Sequence, residues 1–289
     1  MVKLLSELAP AKINLFLRVT GRRADGYHAL DSIFAPVSLY DRVAIAVRPA
    51  PNSAVSIRGD LAELDPGEQN LAVRAAHAFI GEFGLAAEVM IDLHKQIPVG
   101  AGLGGGSSDA GAVLRMLARL GGIADRARLA AVALRLGADV PFFLDPMPAR
   151  VRGIGERIEP LRSFPPLALV IAVPPVAVST AVVFKLLHRE HWSGPAPDQL
   201  LDAAIAGRIT PELLTNDLAS VTTAQWPEVA RLRSLLERAG ALGAAMSGSG
   251  GAVFGVFPSP HAATLAAQSV RRETLAAKVF TAETLPGRS

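Results

Sequence analysis

The sequence predicts an α+β protein in two domains, spanning residues 1–159 and 160–289. Three observations carry that prediction. Runs that alternate like strands and runs with helical periodicity succeed one another in both halves. A charged crossing from Arg150 to Glu159, followed by Ser163-Phe-Pro-Pro, interrupts the pattern once. A chain of 289 residues, 50% apolar and 19% charged, can fill two ordinary cores.

Taken in order, Ala11 to Val19 alternates: Ile13, Leu15, Leu17 and Val19 point one way, Lys12, Asn14, Phe16 and Arg18 the other. The second face is either solvated or part of a site. The chain uses 24 arginines and five lysines, yet Lys12 and Lys95, the latter beside the glycine loop described below, are lysines, which favours a compact point charge there. A turn tipped by Asp25-Gly26 leads to a strand from Tyr27 to Leu39, and Tyr40-Asp41 turns the chain again into Arg42 to Val47. Ala54 to Arg58 is a further strand. A polar stretch then ends at Asn70, which caps a helix through Phe79, and Ala87 to Leu93 returns as a strand.

Pro98 to Gly111 is the stretch on which the rest depends. Its five glycines between Gly100 and Gly106 suit a backbone with φ > 0 or one that a ligand touches. Ser107, Ser108 and Asp109 are good N-caps. Ala110, Val113, Leu114, Leu117 and Leu120 then mark one face of a helix that Gly121-Gly122 ends. The run is either a flexible linker or a loop presenting an anion to a helix N-terminus, where free N–H groups and the dipole favour phosphate. No lysine follows the glycines, so a Walker loop is excluded, and a dinucleotide fold fails because a helix, not a strand, comes next. Asp125 caps that second helix, Leu129, Val132 and Leu136 line it, and Gly137 stops it. Asp139 then stands in an apolar neighbourhood, where an acid is costly unless paired or hydrogen-bonded, or else it caps the short helix begun at Val140-Pro141.

In the second half, Leu167 to Val173 reads as a buried strand. Ser179 or Thr180 caps a helix through Leu187, and Glu228 to Ala239 is helical with Gly240 after it. Met246 to Gly251 is a second glycine-serine loop, which alone reads as a hairpin turn. His188 and His191 flank Glu190 without metalloprotease spacing and read as an exposed polar face. Zero cysteines exclude disulfides, thiol catalysis and thiolate metal sites, and suit a cytoplasmic protein. The first residues lack the apolar core of a signal peptide. The uncharged run Phe164 to Phe184 is broken by Pro174-Pro175, which argues against a membrane span. A net charge of +3 with dispersed basic residues argues against nucleic acid and suits small anionic substrates.

Three segments in this order, Pro-Ala-Lys12-Ile-Asn14-Leu, Gly-Leu-Gly-Gly-Gly-Ser-Ser and Ser247-Gly248-Ser249-Gly250-Gly251, resemble the GHMP kinases. Gly26-Tyr27-His28, Gly-Ala-Asp139-Val-Pro-Phe-Phe and Val178-Ser-Thr180-Ala narrow the resemblance to the members that act on a cytidine-diphosphate-linked methylerythritol in non-mevalonate isoprenoid synthesis. It runs from about Ala9 to Phe257. The resemblance implies a two-domain α+β fold with the active site in the cleft between the domains, and ATP-dependent phosphorylation of the 2-hydroxyl of the acceptor.

Carried residue by residue, it makes Asp139 the general base and Lys12 its partner at the transferred phosphoryl. Pro98, Val99, Gly100, Ala101, Gly102, Leu103, Gly104, Gly105, Gly106, Ser107 and Ser108 would hold the ATP phosphates, with Ser108 as a Mg2+ ligand. Lys95 and Asn70 fall at positions near the nucleotide. Tyr27, His28 and Phe184 would enclose the cytosine, and Asn14 and Thr180 would line the acceptor pocket. The implied partner is a small molecule, and the chain would act as a monomer or homodimer. Asp145-Pro146-Met147-Pro148-Ala149 departs from the resemblance, since such proteins often carry glycines there. A kinase for mevalonate or homoserine is the nearest other enzyme, and a nucleotide-binding regulator the nearest non-enzyme; a base at Asp139 beside Lys12 is superfluous in the latter.

Overall fold

The computed structural model describes residues 1–60, 67, 69–275 and 277–287. They form two compact units, each discontinuous in sequence: Met1–Ala11, Leu39–Val99 and Gly104–Pro146 make one, and Lys12–Ser38, Gly100–Leu103 and Met147–Ser289 the other. Two long strands, β1 (Lys3–Arg22) and β2 (His28–Pro49), contribute to both and pair with each other.

In the first unit, residues Arg42–Pro49 of β2 pair antiparallel with β4 (Ala87–His94), which pairs in parallel with β3 (Ala54–Asp60). Alternation along β4 turns Ala87, Val89, Ile91 and Leu93 into the core, while Met90 faces out. Helices α1 (Leu71–Phe83), α2 (Gly105–Gly121) and α3 (Arg126–Leu136) cover that core. Asn70 caps α1 by accepting the Ala72 N–H, and Asp125 caps α3 by accepting that of Arg128, as their positions before apolar periodic runs predict. Residues 61–66 and 68 of the polar stretch before Asn70 lie outside the described residues. A short 3-10 helix, Pro141–Leu144, packs on α2, and Gly111 makes this approach feasible: a Cβ there would stand 2.6 Å from Phe143 Cβ.

Residues Leu30–Phe34 of β2 pair in the second unit with β5 (Ala149–Gly153), which forms a hairpin with β6 (Arg157–Pro160). The charged crossing read from Arg150 to Glu159 is therefore a hairpin. Arg150 turns inward from it onto Asp31, donating through Nε and Nη2 at 2.9 and 2.7 Å. A second sheet, all antiparallel, has the order β10 (Lys278–Glu283), β7 (Ala168–Val173), β9 (Val253–Phe257), β8 (Gly243–Met246). Helices α4 (Thr180–Leu186), α5 (Asp198–Ile205), α6 (Ala219–Gln225), α7 (Pro227–Arg238) and α8 (Pro260–Glu273) complete the unit. Ser179 caps α4 through the Val182 N–H.

Three local expectations change. No turn breaks β2 at Tyr40-Asp41: the Asp41 carboxylate is buried and satisfied by the Gln96 and Ile97 N–H groups and by Lys95, so the acid marks an anchor inside a strand. Helix α2 begins at Gly105 with Gly104 as its N-cap, so Ser107 and Ser108 lie inside the first turn and Asp109 just beyond it. Gly104 can hold φ 70 where a serine would be strained. Val140, not Asp139, precedes the short 3-10 helix, and no side chain caps it.

Candidate active site

Lys12 and Asn14 share a face of β1, and the structure answers whether that face is solvated: both side chains are buried, Lys12 at 3% exposure. A lysine ammonium out of water must be compensated. Its Nζ donates to Asn14 Oδ1 at 2.6 Å and lies 4.7 Å from the centre of the Phe34 ring. Asn14 is itself fixed, donating through Nδ2 to Ser32 Oγ at 2.9 Å while Ser32 donates to the Phe16 carbonyl. Asn14 Oδ1 also accepts the Gly248 N–H at 2.9 Å.

The first glycine loop and the second meet on this strand. Backbone pairing joins Lys12 N–H to Leu103 O at 2.9 Å and Ala252 N–H to Ala101 O at 3.0 Å, so the stretch Ala101–Leu103 is laced to a different segment on each side. The Ser247 hydroxyl donates to Gly102 O at 3.0 Å. Gly102, at φ 76, is obligatory on two counts, since a Cβ would also stand 2.2 Å from the Ser247 carbonyl oxygen. Ser249 Oγ lies 2.7 Å from Thr180 Oγ1, and the Thr222 hydroxyl donates to Ser249 O at 3.0 Å. Read alone, Met246 to Gly251 is a hairpin turn between β8 and β9, and it is one. Its Ser247 and Gly248 nonetheless hold the residues around Lys12, which no local pattern reveals.

On the first unit, α2 presents its N-terminus after Gly104. Ser108 is fully buried, and its hydroxyl has no hydrogen-bond partner among the described residues. An orphaned buried hydroxyl in the first turn of a 17-residue helix suits an oxygen ligand or a phosphate contact. Lys95 lies beside Gly105 at the start of α2, its ammonium paired with Asp41 and with Asp109 Oδ2 at 2.7 Å. Burial pushes the Asp109 carboxyl up to about 7; Lys95 opposes that shift and the neighbouring Asp41 reinforces it. The Lys95 ammonium, although burial disfavours it, is held above its usual pKa by the two carboxylates. Asn70 is buried at the head of α1. Asp139 is half-buried in the turn after α3.

Aromatic side chains gather elsewhere on the second unit. The His28 ring stacks on Phe184 at 5.3 Å and 27°, and Trp192 meets His28 edge-on at 5.7 Å and 83°. Burial, with Arg22 adding to it, holds the His28 pKa below the usual imidazole value. Tyr27 stands 62% exposed beside the Asp25-Gly26 turn. Sequence reasoning missed Trp192, since a single aromatic in an irregular stretch carries no pattern, and it missed Asp41 and Asp109 as partners of Lys95.

Two family models match the chain, GHMP kinases N terminal domain over residues 70–145 and GHMP kinases C terminal over 200–277. The glycine loop leading into a helix N-terminus falls within the first and the serine loop within the second, and the chain belongs to the GHMP kinases, enzymes that phosphorylate small molecules. Among curated relatives, the 4-diphosphocytidyl-2-C-methyl-D-erythritol kinase of Anaeromyxobacter dehalogenans is 47% identical, over 91% of this chain and 84% of that protein. That of Symbiobacterium thermophilum is 44% identical, over 87% and 90%. A crystal structure of 4-(cytidine 5'-diphospho)-2C-methyl-D-erythritol kinase superposes with TM-score 0.82 at 39% identity, covering 96% of this chain and 98% of that one. Within the GHMP kinases, the chain belongs with these 4-diphosphocytidyl-2-C-methyl-D-erythritol kinases. A homoserine kinase from Cytophaga hutchinsonii, TM-score 0.77 at 18% identity over 99% of this chain and 96% of that one, shares the fold alone.

Proposed function

We propose that this enzyme transfers the γ-phosphoryl group of ATP to the 2-hydroxyl of 4-diphosphocytidyl-2-C-methyl-D-erythritol, in the methylerythritol phosphate route to isoprenoid precursors. The observation that carries the reading is the buried Lys12 ammonium, held against Asn14 where the two glycine loops are laced to β1. A charge so costly to bury suits a role in stabilising a charged group that arrives from outside.

In this reading the acceptor oxygen attacks the γ-phosphorus as the bond to the β–γ bridging oxygen breaks, and the Asp139 carboxylate takes the hydroxyl proton. Lys12 offsets negative charge on the moving phosphoryl. The α2 N-terminus and the loop from Pro98 to Ser108 hold the nucleotide phosphates. No group of three His, Asp or Glu side chains that could hold a metal occurs among the described residues, but the orphaned Ser108 hydroxyl fits a single oxygen ligand to Mg2+. When bound, the ion would neutralise charge on the phosphates. The stacked pair His28 and Phe184 suits a planar base, and the exposed Tyr27, next to His28 in the chain, would supply a third ring. Asn14 and Thr180 line the acceptor side. We place the enzyme in the cytoplasm, as a monomer or homodimer; no helix among the described residues is long and apolar enough to cross a membrane.

The test is ATP consumption with the cytidyl acceptor, mevalonate and homoserine in parallel, with wild type and Asp139→Asn. Turnover confined to the cytidyl acceptor, lowered about 10²- to 10⁴-fold in the variant, is expected. Turnover of mevalonate or homoserine instead would overturn the substrate, and an unimpaired variant would remove Asp139 from the chemistry.

A further inference from the structure

Between α5 and α6 the chain has no regular structure, yet residues 215–217 are laid along β1: Leu17 N–H donates to Thr215 O and Asp217 N–H to Leu17 O, both at 2.9 Å. Two adjacent side chains, Asn216 and Asp217, leave this stretch with every polar atom engaged.

The Asn216 amide nitrogen donates to the carbonyls of Met246 and Gly248, at 2.9 and 2.8 Å, while its Oδ1 accepts the Leu218 N–H at 2.9 Å. Gly248 is thus gripped from both sides, since its N–H is donated to Asn14 Oδ1, which also accepts the Lys12 ammonium. The links run Asn216, Gly248, Asn14, Lys12.

Asp217 faces the other way. Its Oδ2 accepts the N–H groups of Val19 and Ser193 at 2.7 and 2.8 Å, and its Oδ1 accepts the Ser193 hydroxyl at 2.5 Å. Ser193 follows Trp192, whose indole meets the His28 ring in a T-shaped contact. Arg18 and the Val19 carbonyl fasten the same segment to β1 through Ser193 and Gly194. Here the links run Asp217, Ser193, Trp192, His28.

We propose that Asn216 and Asp217 are positioning residues for the acceptor half of the reaction, with separate tasks: Asn216 fixes the serine loop that orients Asn14 and Lys12, and Asp217 fixes the Trp192 wall that orients His28 for the cytidine end of the acceptor. The inference rests on the proposed substrate. Neither residue touches a reacting atom. Their geometry predicts a split: disturbing Asn216 affects the phosphoryl-transfer step, and disturbing Asp217 affects acceptor binding.

Asn216→Asp and Asp217→Asn make the test because each is isosteric. The first keeps the acceptor for Leu218 N–H but loses both donors and sets a carboxylate against two carbonyls. The second removes the charge, leaving a neutral amide oxygen for the Val19 and Ser193 N–H groups and an N–H₂ in place of the acceptor for the Ser193 hydroxyl, so the charge-assisted grip on that segment weakens. Steady-state kinetics with the cytidyl acceptor should show kcat lowered about 10- to 100-fold for Asn216→Asp with the acceptor KM nearly kept, as a misplaced catalytic group behaves. For Asp217→Asn the acceptor KM should rise about fivefold or more, the share of base stacking that is lost, with kcat nearly kept. The KM for ATP should stay put in both.

A second measurement is independent of turnover. The chain has two tryptophans, so in a Trp226→Phe background Asp217→Asn should increase acrylamide quenching of Trp192, and Asn216→Asp should not. Equal loss of kcat and acceptor affinity in both variants, or Trp192 quenching unchanged by Asp217→Asn, would overturn the assignment. Were wild type inactive on the cytidyl acceptor, the substrate reading would fail, while the quenching would still report whether Asp217 holds the wall.

Discussion

Gly111 sets two effects of known sign against each other. It lies in the second turn of α2, where replacing glycine by alanine ordinarily stabilises a helix by about 0.8–1.0 kcal/mol. Here the new Cβ would stand 2.6 Å from Phe143 Cβ and 2.8 Å from the Phe143 carbonyl oxygen. Neither atom can swing aside, because one is backbone and the other is bonded to it. Forcing a methyl group into such a contact costs about 1–3 kcal/mol, and the Arg115 guanidinium that donates to that same carbonyl would be displaced with it. With the Arg115 hydrogen bond lost beside it the clash wins, and Gly111→Ala should lose up to about 2 kcal/mol net. Gly81 in α1 is the control: it is exposed and a Cβ there meets nothing within 4 Å, so Gly81→Ala should gain the full propensity term. Urea denaturation followed by far-UV circular dichroism should move the two midpoints in opposite directions, Gly111→Ala downward by roughly 0.5–1 M. Turnover should fall too, since the displaced 3-10 helix starts two residues after Asp139. A Gly111→Ala midpoint at or above wild type would refute the reasoning.

The Asp109 carboxyl makes stability depend on pH. Its pKa is about 7 when folded and near 3.8 when exposed, so between those values the folded chain holds a proton that the unfolded chain lacks. Its contribution is whole below pH ~4 and is lost as pH rises to ~7. Asp109→Asn should flatten the urea-derived stability between about pH 4 and 7 relative to wild type, and parallel profiles would contradict the raised pKa. Lys12→Arg keeps the charge but brings a planar fork to a buried site that accommodates one ammonium against Asn14 and Phe34. Turnover should drop at least tenfold with ATP affinity retained, checked by isothermal calorimetry, and full activity would argue for a purely structural Lys12. Gly102→Ala should separate the two glycine loops, because φ 76 and a contact of 2.2 Å with Ser247 O both forbid it. Both turnover and thermal stability are expected to fall, and an unchanged melting curve would deny the contact.

The elements with an amphipathic repeat and a cap residue were legible from sequence. Asn70, Asp125 and Ser179 cap the helices they precede, and β4 and β7 bury the residues their patterns predict. Asp41 misled because an acid after a tyrosine reads locally as a turn, and only the distant Gln96 and Ile97 amides explain it inside a strand. The glycine loop was legible as a phosphate-binding candidate from its composition. That Lys12 lies against it was legible only through the resemblance to the kinases and not through periodicity, since the Lys12–Leu103 and Gly248–Asn14 contacts join residues about 90 and 230 positions apart. Such long-range closure leaves no periodic trace.

The discontinuity of the two units bears on how the chain comes off the ribosome. Residues Lys12–Ser38 belong with Met147–Ser289, and everything from Leu39 to Pro146 except Gly100–Leu103 belongs to the other unit. Strand β2 therefore emerges with its Leu30–Phe34 edge lacking β5, its eventual neighbour, for about 110 residues of further synthesis. At elongation rates of about 5–20 residues per second that wait is roughly 5–20 s, long against the microseconds to seconds in which small domains fold. Ile33 and Phe34 are apolar and fully or nearly fully buried at the end, so during that interval the nascent chain carries an unsatisfied apolar edge, the kind of surface on which holding chaperones act.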